Sequence, residues 1–357
     1  MLDRAFWRGR RVFLTGHTGF KGAWLSLWLQ RLGARVTGYS IDVPTEPSLF
    51  MAARIGDGMT DGRGDVRDCD ALSKAMREAA PEIVIHAAAQ ALVRASYADP
   101  IGTFATNIMG TAHLLEAARS CAGIKAVLIV TSDKCYENRE WVWGYRESDA
   151  MGGYDPYSAS KGAAEIVTAS MRNAYFQPEA YRDHGVAVAS ARAGNVIGGG
   201  DWSADRIVPD LMRAFASGVP AMIRNPRAIR PWQYVLDPLA GYLLLCERLC
   251  REGPTFAEAW NFGPDLSGVR SVAELADAAA RLWGTGAATQ NAEGPEPHEA
   301  AILRLDAAKA RLRLGWRPKM DCDTALLLAV EWYRAFYAGQ DVRALSDRQL
   351  DRWHEMA

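Results

Sequence analysis

The chain has 357 residues, 49% of them apolar and 23% charged, enough to bury a large core in one domain or two intimately joined ones. Its 41 lysines and arginines are balanced by 42 aspartates and glutamates, so no basic surplus points to nucleic acid or an anionic membrane as a partner. Six cysteines without CxxC spacing, no apolar stretch of membrane-spanning length and no signal-like N-terminal segment favour a reduced, cytoplasmic enzyme over a disulfide scaffold or a membrane protein.

Arg11-Val-Phe-Leu-Thr15 predicts a first strand that runs into a glycine loop at Gly16. A helical pattern follows from Gly22 to Leu32 and stops at Gly33, where a C-terminal glycine belongs. Arg35 to Ile41, Ile83 to His86 and Ala126 to Thr131 predict further strands, the last two apolar enough to be covered on both faces. Asp70 to Ala79, Gly102 to Arg119 and Ser158 to Tyr175 predict the helices between and after them. This alternation is that of βαβ units in a Rossmann-type, doubly wound parallel α/β sheet. Beyond Ala187 to Arg192 the pattern loosens, with prolines at 220, 226, 231 and 254 and clear helices only at Val272 to Trp283 and Asp323 to Tyr337. The expectation is a dinucleotide-binding domain over 1–190 and a smaller mixed α/β substrate domain over 191–357. The two would interleave through a segment near 231–262, whose strands around Val235 and Trp260 to Phe262 fit either one.

Thr15-Gly-His-Thr-Gly-Phe-Lys-Gly22 places glycines at 16, 19 and 22 between a strand and a helix. Glycines allow the tight turn and the close approach of a pyrophosphate, and the helix N-terminus supplies free N–H groups and a positive dipole. Gly16, His17, Thr18, Gly19, Phe20, Lys21 and Gly22 are therefore candidate cofactor contacts. Asp42, after the second strand, is the candidate for the adenosine ribose hydroxyls, which favours NAD over NADP. Lys21 fits either a cation meeting a ribose phosphate or a solvated first-turn lysine. Asp65, beside Val66, reads as a helix cap or an adenine-amine acceptor, with its position favouring the second.

Tyr157-Ser-Ala-Ser-Lys161 opens a helix after Pro156 and puts tyrosine and lysine on one face at i, i+4. A nearby ammonium favours phenolate, so Tyr157 is a candidate general base for a hydroxyl proton during hydride transfer. Lys161 is also placed to hold the nicotinamide ribose. Ser132 ends the strand of Ala126 to Thr131, at the edge where open α/β sheets bind ligands. Histidines at 17, 86, 113, 184, 298 and 354 show no metal-ligand spacing, so metal-free chemistry is expected.

With these residues in order, the chain resembles the extended short-chain dehydrogenase/reductase family. The matching segments are Thr15 to Gly22, His86-Ala-Ala-Ala-Gln90, Asn107-Ile-Met-Gly-Thr111, Ser132 and Tyr157 to Lys161. In the second half, Arg192 to Gly198 and Ile229 to Asp237 look like nucleotide-sugar-binding segments. The resemblance implies Ala87, Ala88 and Ala89 at the cofactor and covers nearly the whole chain. Gly16 to Gly22, Thr131 to Asn138 and Gly198-Gly-Gly-Asp-Trp202 are similar to the CDP-sugar branch of its dehydratases. Related dehydratases carry Thr-Asp-Glu where this chain has Ser132-Asp133-Lys134, and the lysine is shared with the CDP-sugar branch.

What the resemblance implies is NAD-dependent loss of water from CDP-glucose or a related nucleotide sugar, in deoxysugar synthesis. Tyr157, assisted by Ser132 and Lys161, would take the C4 hydroxyl proton as hydride leaves. Lys134 would then remove the C5 proton, Asp133 would protonate the departing C6 hydroxyl, and hydride would return at C6. For those roles Asp133 must act protonated and Lys134 neutral, which a close ion pair between them would oppose. A structural ion pair at a strand end is the bland alternative. Arg94, Arg192, Asn195, Arg206 and Arg230 are the substrate-holding candidates, since guanidinium forks match diphosphate oxygens. Trp202 and Trp232 fit either a pocket wall or the core. A homodimer or homotetramer is expected from the helix pair Gly102 to Arg119 and Ser158 to Tyr175. A nucleotide-sugar 4-epimerase shares everything except the Asp133-Lys134 pair. A non-catalytic regulator on the same fold would be expected to lose Tyr157 or Lys161.

Overall fold

The computed structural model describes residues 2–265, 268–292 and 303–356; His298 lies outside them. Strands β1 (Arg11–Thr15), β2 (Arg35–Ser40), β3 (Thr60–Arg63), β4 (Ile83–His86), β5 (Ala126–Val130), β6 (Ala187–Arg192) and β7 (Ala259–Asn261) form one sheet. Its order is β7-β6-β5-β4-β1-β2-β3 and every pairing is parallel. Parallel strands need crossovers, and α1 (Phe20–Arg31), α2 (Cys69–Ala79), α3 (Gly110–Arg119) and α4 (Pro156–Tyr175) supply most of them.

Alternate residues of each strand serve opposite faces. Val12 and Leu14 join Trp24, Leu27 and Trp28 of α1 on one side, while Phe13, Val84 and Val127 meet Leu72, Met76, Leu114 and Leu115 on the other. Strand order reverses between β1 and β4, whose last residues Thr15 and His86 are paired. That reversal opens the crevice in which such sheets take ligands.

Downstream come α5 (Ile207–Ala216), α6 (Leu236–Glu252), α7 (Val272–Trp283), α8 (Cys322–Tyr337) and α9 (Val342–Glu355). Two-stranded pairings join Val196–Ile197 to Gln233–Tyr234, Ile229–Pro231 to Val269–Ser271, and Ala221–Ile223 to Thr289–Asn291. Helix α6 has no counterpart among the sequence expectations. It packs on β5 and β6 and is buried along most of its length. Pro238 falls in its first turn, where the missing N–H costs little.

The helix expected over Gly102 to Arg119 is broken. Pro100–Phe104 leads into a π turn at Ala105–Met109 before α3 begins. The wide turn carries Asn107, whose amide donates to the Gln90 carbonyl at 2.9 Å and to Ser160 Oγ at 2.8 Å. Its Oδ1 accepts from the Gln90 N–H at 2.9 Å. One asparagine thus ties the segment after β4 to the first turns of α4. Such π turns mark places where a side chain has been re-aimed.

Candidate active site

The glycine loop is shaped by contacts that exclude a side chain. Gly16 has φ +73°, and a Cβ there would lie 2.5 Å from the Ala88 nitrogen and 2.6 Å from the Ala87 carbonyl carbon. At Gly22 a Cβ would fall 2.0 Å from the Gly16 oxygen. The ends of β1 and β4 and the start of α1 are therefore in backbone contact. Ala87 and Ala88 donate to the Thr15 carbonyl and hydroxyl at 3.1 and 3.2 Å. Helix α1 begins at Phe20 with no side-chain cap, leaving its first N–H groups for an anion. Asp42 lies exposed just past β2, its carboxylate accepting from the next N–H, Val43, at 2.7 Å. Cradle, helix N-terminus and ribose acceptor are thus the donor and acceptor set a dinucleotide requires.

Several side chains of this region do other work. The buried His17 ring is held between Ser40 Oγ at 2.8 Å and Asp61 at 2.7 Å, packed where Gly38 has no Cβ, so it braces the loop against β2 and β3. Thr18 donates to the Asp42 carbonyl at 2.6 Å. Phe20 packs toward Gly198. Val66 is buried against Gly110. Asp65 is held by Arg67, at 2.8 Å to Nε, and Asp68 caps α2 instead. Lys21 takes neither course the sequence left open. Its ammonium crosses to the Ala193 carbonyl at 3.4 Å, among Arg206, Asp133, Lys161 and Asp201. Burial pulls its pKa down to about 8.

Beyond β5, Ser132 caps a single 3-10 turn over Asp133–Cys135, its Oγ accepting from the Lys134 N–H at 3.3 Å. The turn aims the buried Asp133 carboxyl inward. Oδ1 accepts from Ser132 Oγ at 2.9 Å and Oδ2 from Asn195 Nδ2 at 3.0 Å. Gly194 allows this approach, because a Cβ there would lie 1.9–2.1 Å from the carboxyl atoms. The carboxyl is thus engaged by Ser132 and Asn195.

Helix α4 starts with Asp155 as N-cap, accepting from the Ser158 N–H at 2.9 Å, and with Pro156 in its first turn. Ser96 Oγ accepts from the Tyr157 N–H at 3.1 Å. Burial pushes the Tyr157 phenol up to about 12, against the Ser132 hydroxyl and the Arg206 charge, which pull it down. The Lys161 ammonium faces the Val130 carbonyl at 3.5 Å, and burial lowers its pKa to about 8. Arg206 is a cation whose charge acts on the phenol.

Ser132, Asp133, Lys134 and Tyr157 line one cavity of about 310 Å³ together with Lys21, Arg94, Asn195, Arg206 and Arg230. Asp201, from the Gly198 to Trp202 motif, and Arg224, which no sequence signal singled out, are there too. Arg206 is held by Asp201 at 3.0 Å. Trp232 reaches the cavity wall, whereas Trp202 is packed among Trp332, Tyr333 and Phe336 in the core.

Arg192 is a correction. Its guanidinium pairs with Glu165 of α4 at 2.8 Å, both side chains 4% exposed, and donates to Tyr136 Oη at 2.6 Å. It stands away from the catalytic cavity, because β6 directs its side chain to the face covered by α4. No group of three side chains able to hold a metal ion occurs among the described residues.

Residues 12–261 match the model of the NAD dependent epimerase/dehydratase family. The chain belongs to that family. NAD is accordingly its cofactor, and the cradle at Gly16 to Gly22 fits it. The chain is 52% identical over 350 residues to the CDP-glucose 4,6-dehydratase of Salmonella typhimurium, covering 98% of each. It is 28% identical over 281 residues to the dTDP-glucose 4,6-dehydratase of Streptomyces antibioticus, covering 76% of this chain and 75% of the relative. A UDP-glucose-4-epimerase from Stenotrophomonas maltophila, solved with NAD and formylated UDP-arabinopyranose, shares the fold. Its TM-score is 0.77 at 22% identity, over 92% of this chain and 99% of the other. No helix among the described residues is long and apolar enough to cross a membrane.

Proposed function

We propose that the chain dehydrates CDP-glucose to CDP-4-keto-6-deoxyglucose, as an NAD-dependent hydro-lyase. The observation that carries this is the shared cavity of Ser132, Asp133, Lys134 and Tyr157, in a chain 52% identical to a CDP-glucose 4,6-dehydratase. NAD, when bound, supplies a hydride acceptor that takes hydrogen from C4 and gives it back at C6. Tyr157 receives the O4 proton, with Ser132 hydrogen-bonded to it. The resulting 4-ketone acidifies the C5 proton, which Lys134 removes while Asp133 protonates the departing O6. Arg94, Arg206 and Arg230 face the same cavity and hold the diphosphate. Asn195 acts on Asp133.

A 4-epimerase has no water to expel and no use for an oriented carboxyl beside its tyrosine; the buried, doubly held Asp133 favours dehydration. Ile101, Met109, Ile166 and Tyr175 lie exposed on Pro100–Phe104, the π turn and α4, which supports a homodimer or homotetramer formed through these segments. A nucleotide-sugar substrate supports a cytoplasmic setting. The test is incubation with NAD and, separately, CDP-, dTDP-, GDP- and UDP-glucose. A 4-keto-6-deoxy sugar from CDP-glucose is the expected product; a C4 epimer, or no turnover of CDP-glucose, would refute the assignment.

A further inference from the structure

The turn that carries Ser132, Asp133 and Lys134 has little of its own to hold its shape. It is one 3-10 turn, closed by the Cys135 N–H donating to the Ser132 carbonyl at 3.3 Å and the Lys134 N–H donating to Ser132 Oγ at 3.3 Å. Buried side chains hold its two ends instead. Thr131, at the entry, donates from Oγ1 to Glu165 Oε1 at 2.5 Å. Tyr136 Oη, at the exit, accepts from Arg192 Nη1 at 2.6 Å and donates to Asn261 Oδ1 of β7 at 2.7 Å. Arg192 Nη2 in turn donates to Glu165 Oε2 at 2.8 Å. Both ends of the turn are therefore joined through one ion pair.

We infer that Glu165 and Arg192 are positioning residues that clamp this turn and so set Asp133 and Lys134 against Tyr157. This rests on the dehydration proposed above, which gives Asp133 and Lys134 their work. Neither clamp residue lines the catalytic cavity, so the pair acts on the reaction only through the turn.

Three elements that carry the reacting groups meet at the Glu165 carboxylate. Glu165 follows Lys161 by one turn of α4 and Tyr157 by two, so it lies on the helix face that carries both. Thr131 brings in the end of β5. Ser190 Oγ of β6 donates to Oε2 at 2.6 Å, beside the Arg192 guanidinium. Arg192 ends β6, and the chain runs on to Gly194 and Asn195, which give the Asp133 carboxyl its place. Thr131, Tyr136, Glu165, Ser190, Arg192 and Asn261 are all buried. Water offers them no alternative partners, so these bonds fix the register of the three elements. Reacting groups tolerate little error, since a displacement of about 1 Å costs on the order of 100-fold in rate.

The test compares NAD-loaded wild type with Thr131→Val, Thr131→Ser and Tyr136→Phe, which loosen one end of the turn and leave every cavity side chain in place. Thr131→Val and Tyr136→Phe should each lower kcat on CDP-glucose by about 10–100-fold, with KM and NAD affinity changed by less than about twofold. Thr131→Ser keeps the hydroxyl and should recover most of that loss. Tyr136→Phe frees the end of the turn nearer Lys134. Elimination should then lag oxidation, and reduced nicotinamide should accumulate in single turnovers, read by its near-ultraviolet absorbance. Because both ends act through one ion pair, the double variant Thr131→Val, Tyr136→Phe should lose much less than the product of the two single losses. A pair that serves stability alone would lower the melting temperature and leave kcat of the folded enzyme at the wild-type level. That result overturns the inference, as does a rise in KM with kcat unchanged, or single losses that simply multiply in the double variant. Failure of the underlying assignment would look different, since wild type itself would then form no keto sugar.

Discussion

Replacing Arg192 with methionine separates a substrate contact from a structural ion pair. In the folded chain Arg192 and Glu165 meet at 2.8 Å with side chains 4% exposed. Glu165 also accepts from Thr131 Oγ1 at 2.5 Å and Ser190 Oγ at 2.6 Å. Methionine leaves those two bonds and removes the cation, so a buried carboxylate loses its counter-charge. Breaking a pair of this kind costs about 3–5 kcal/mol. A double variant that also carries Glu165→Gln removes the stranded charge and should recover much of the loss, because neutral replacements of both partners are far better tolerated. The pH dependence follows in sign. Arg192 and the hydroxyl donors hold the Glu165 carboxyl below its ordinary 4.5. The pair's contribution is therefore present in full above that value and lost as pH falls through the depressed one. The gap between wild type and Arg192→Met should accordingly be widest near neutrality and narrow in acid, where the unpaired Glu165 takes up a proton. Urea unfolding followed by two spectroscopic probes over pH 4–8, roughly the range in which carboxylates and their buried partners titrate, measures it. The reasoning is refuted if Arg192→Met unfolds within about 1 kcal/mol of wild type, the level of an exposed pair, while KM for the nucleotide sugar rises.

Lys21→Met should leave the preference for NAD over NADP where it was, because the ammonium lies at Ala193 and not beside Asp42; calorimetric titration with each dinucleotide would expose a selective loss of NADP binding if it lay there. Gly22→Ala should abolish dinucleotide binding, since its Cβ would fall 2.0 Å from the Gly16 oxygen, and fluorescence titration with NADH reads this directly. Gly194→Ala should lower kcat by about 100-fold or more through displacement of the Asp133 carboxyl, with NAD affinity unchanged. Equal loss of NAD binding would place the damage in the fold instead.

Sequence alone determined the parallel α/β sheet, the dinucleotide loop, and the order of serine, tyrosine and lysine. Each of these is written locally. A strand buried on both faces is a short apolar run, a phosphate turn needs closely spaced glycines, and i, i+4 on a helix is one face wherever the helix goes. Helix α6 escaped among the prolines at 220, 226, 231 and 254 that break up the pattern around it, although Pro238 costs its first turn little. Where long side chains end was settled by the tertiary structure. Lys21 starts in the cofactor loop and finishes at Ala193 in the catalytic cavity. Arg192 stands in a substrate-like motif, yet its side chain meets Glu165 on the opposite face of the strand. Asn195 turned from the substrate to Asp133. A flexible side chain of several bonds settles where burial, charge and hydrogen-bond partners are best satisfied together. Those partners come from segments distant in the chain, as Lys21 and Ala193 show, so spacing along the sequence carries no record of them.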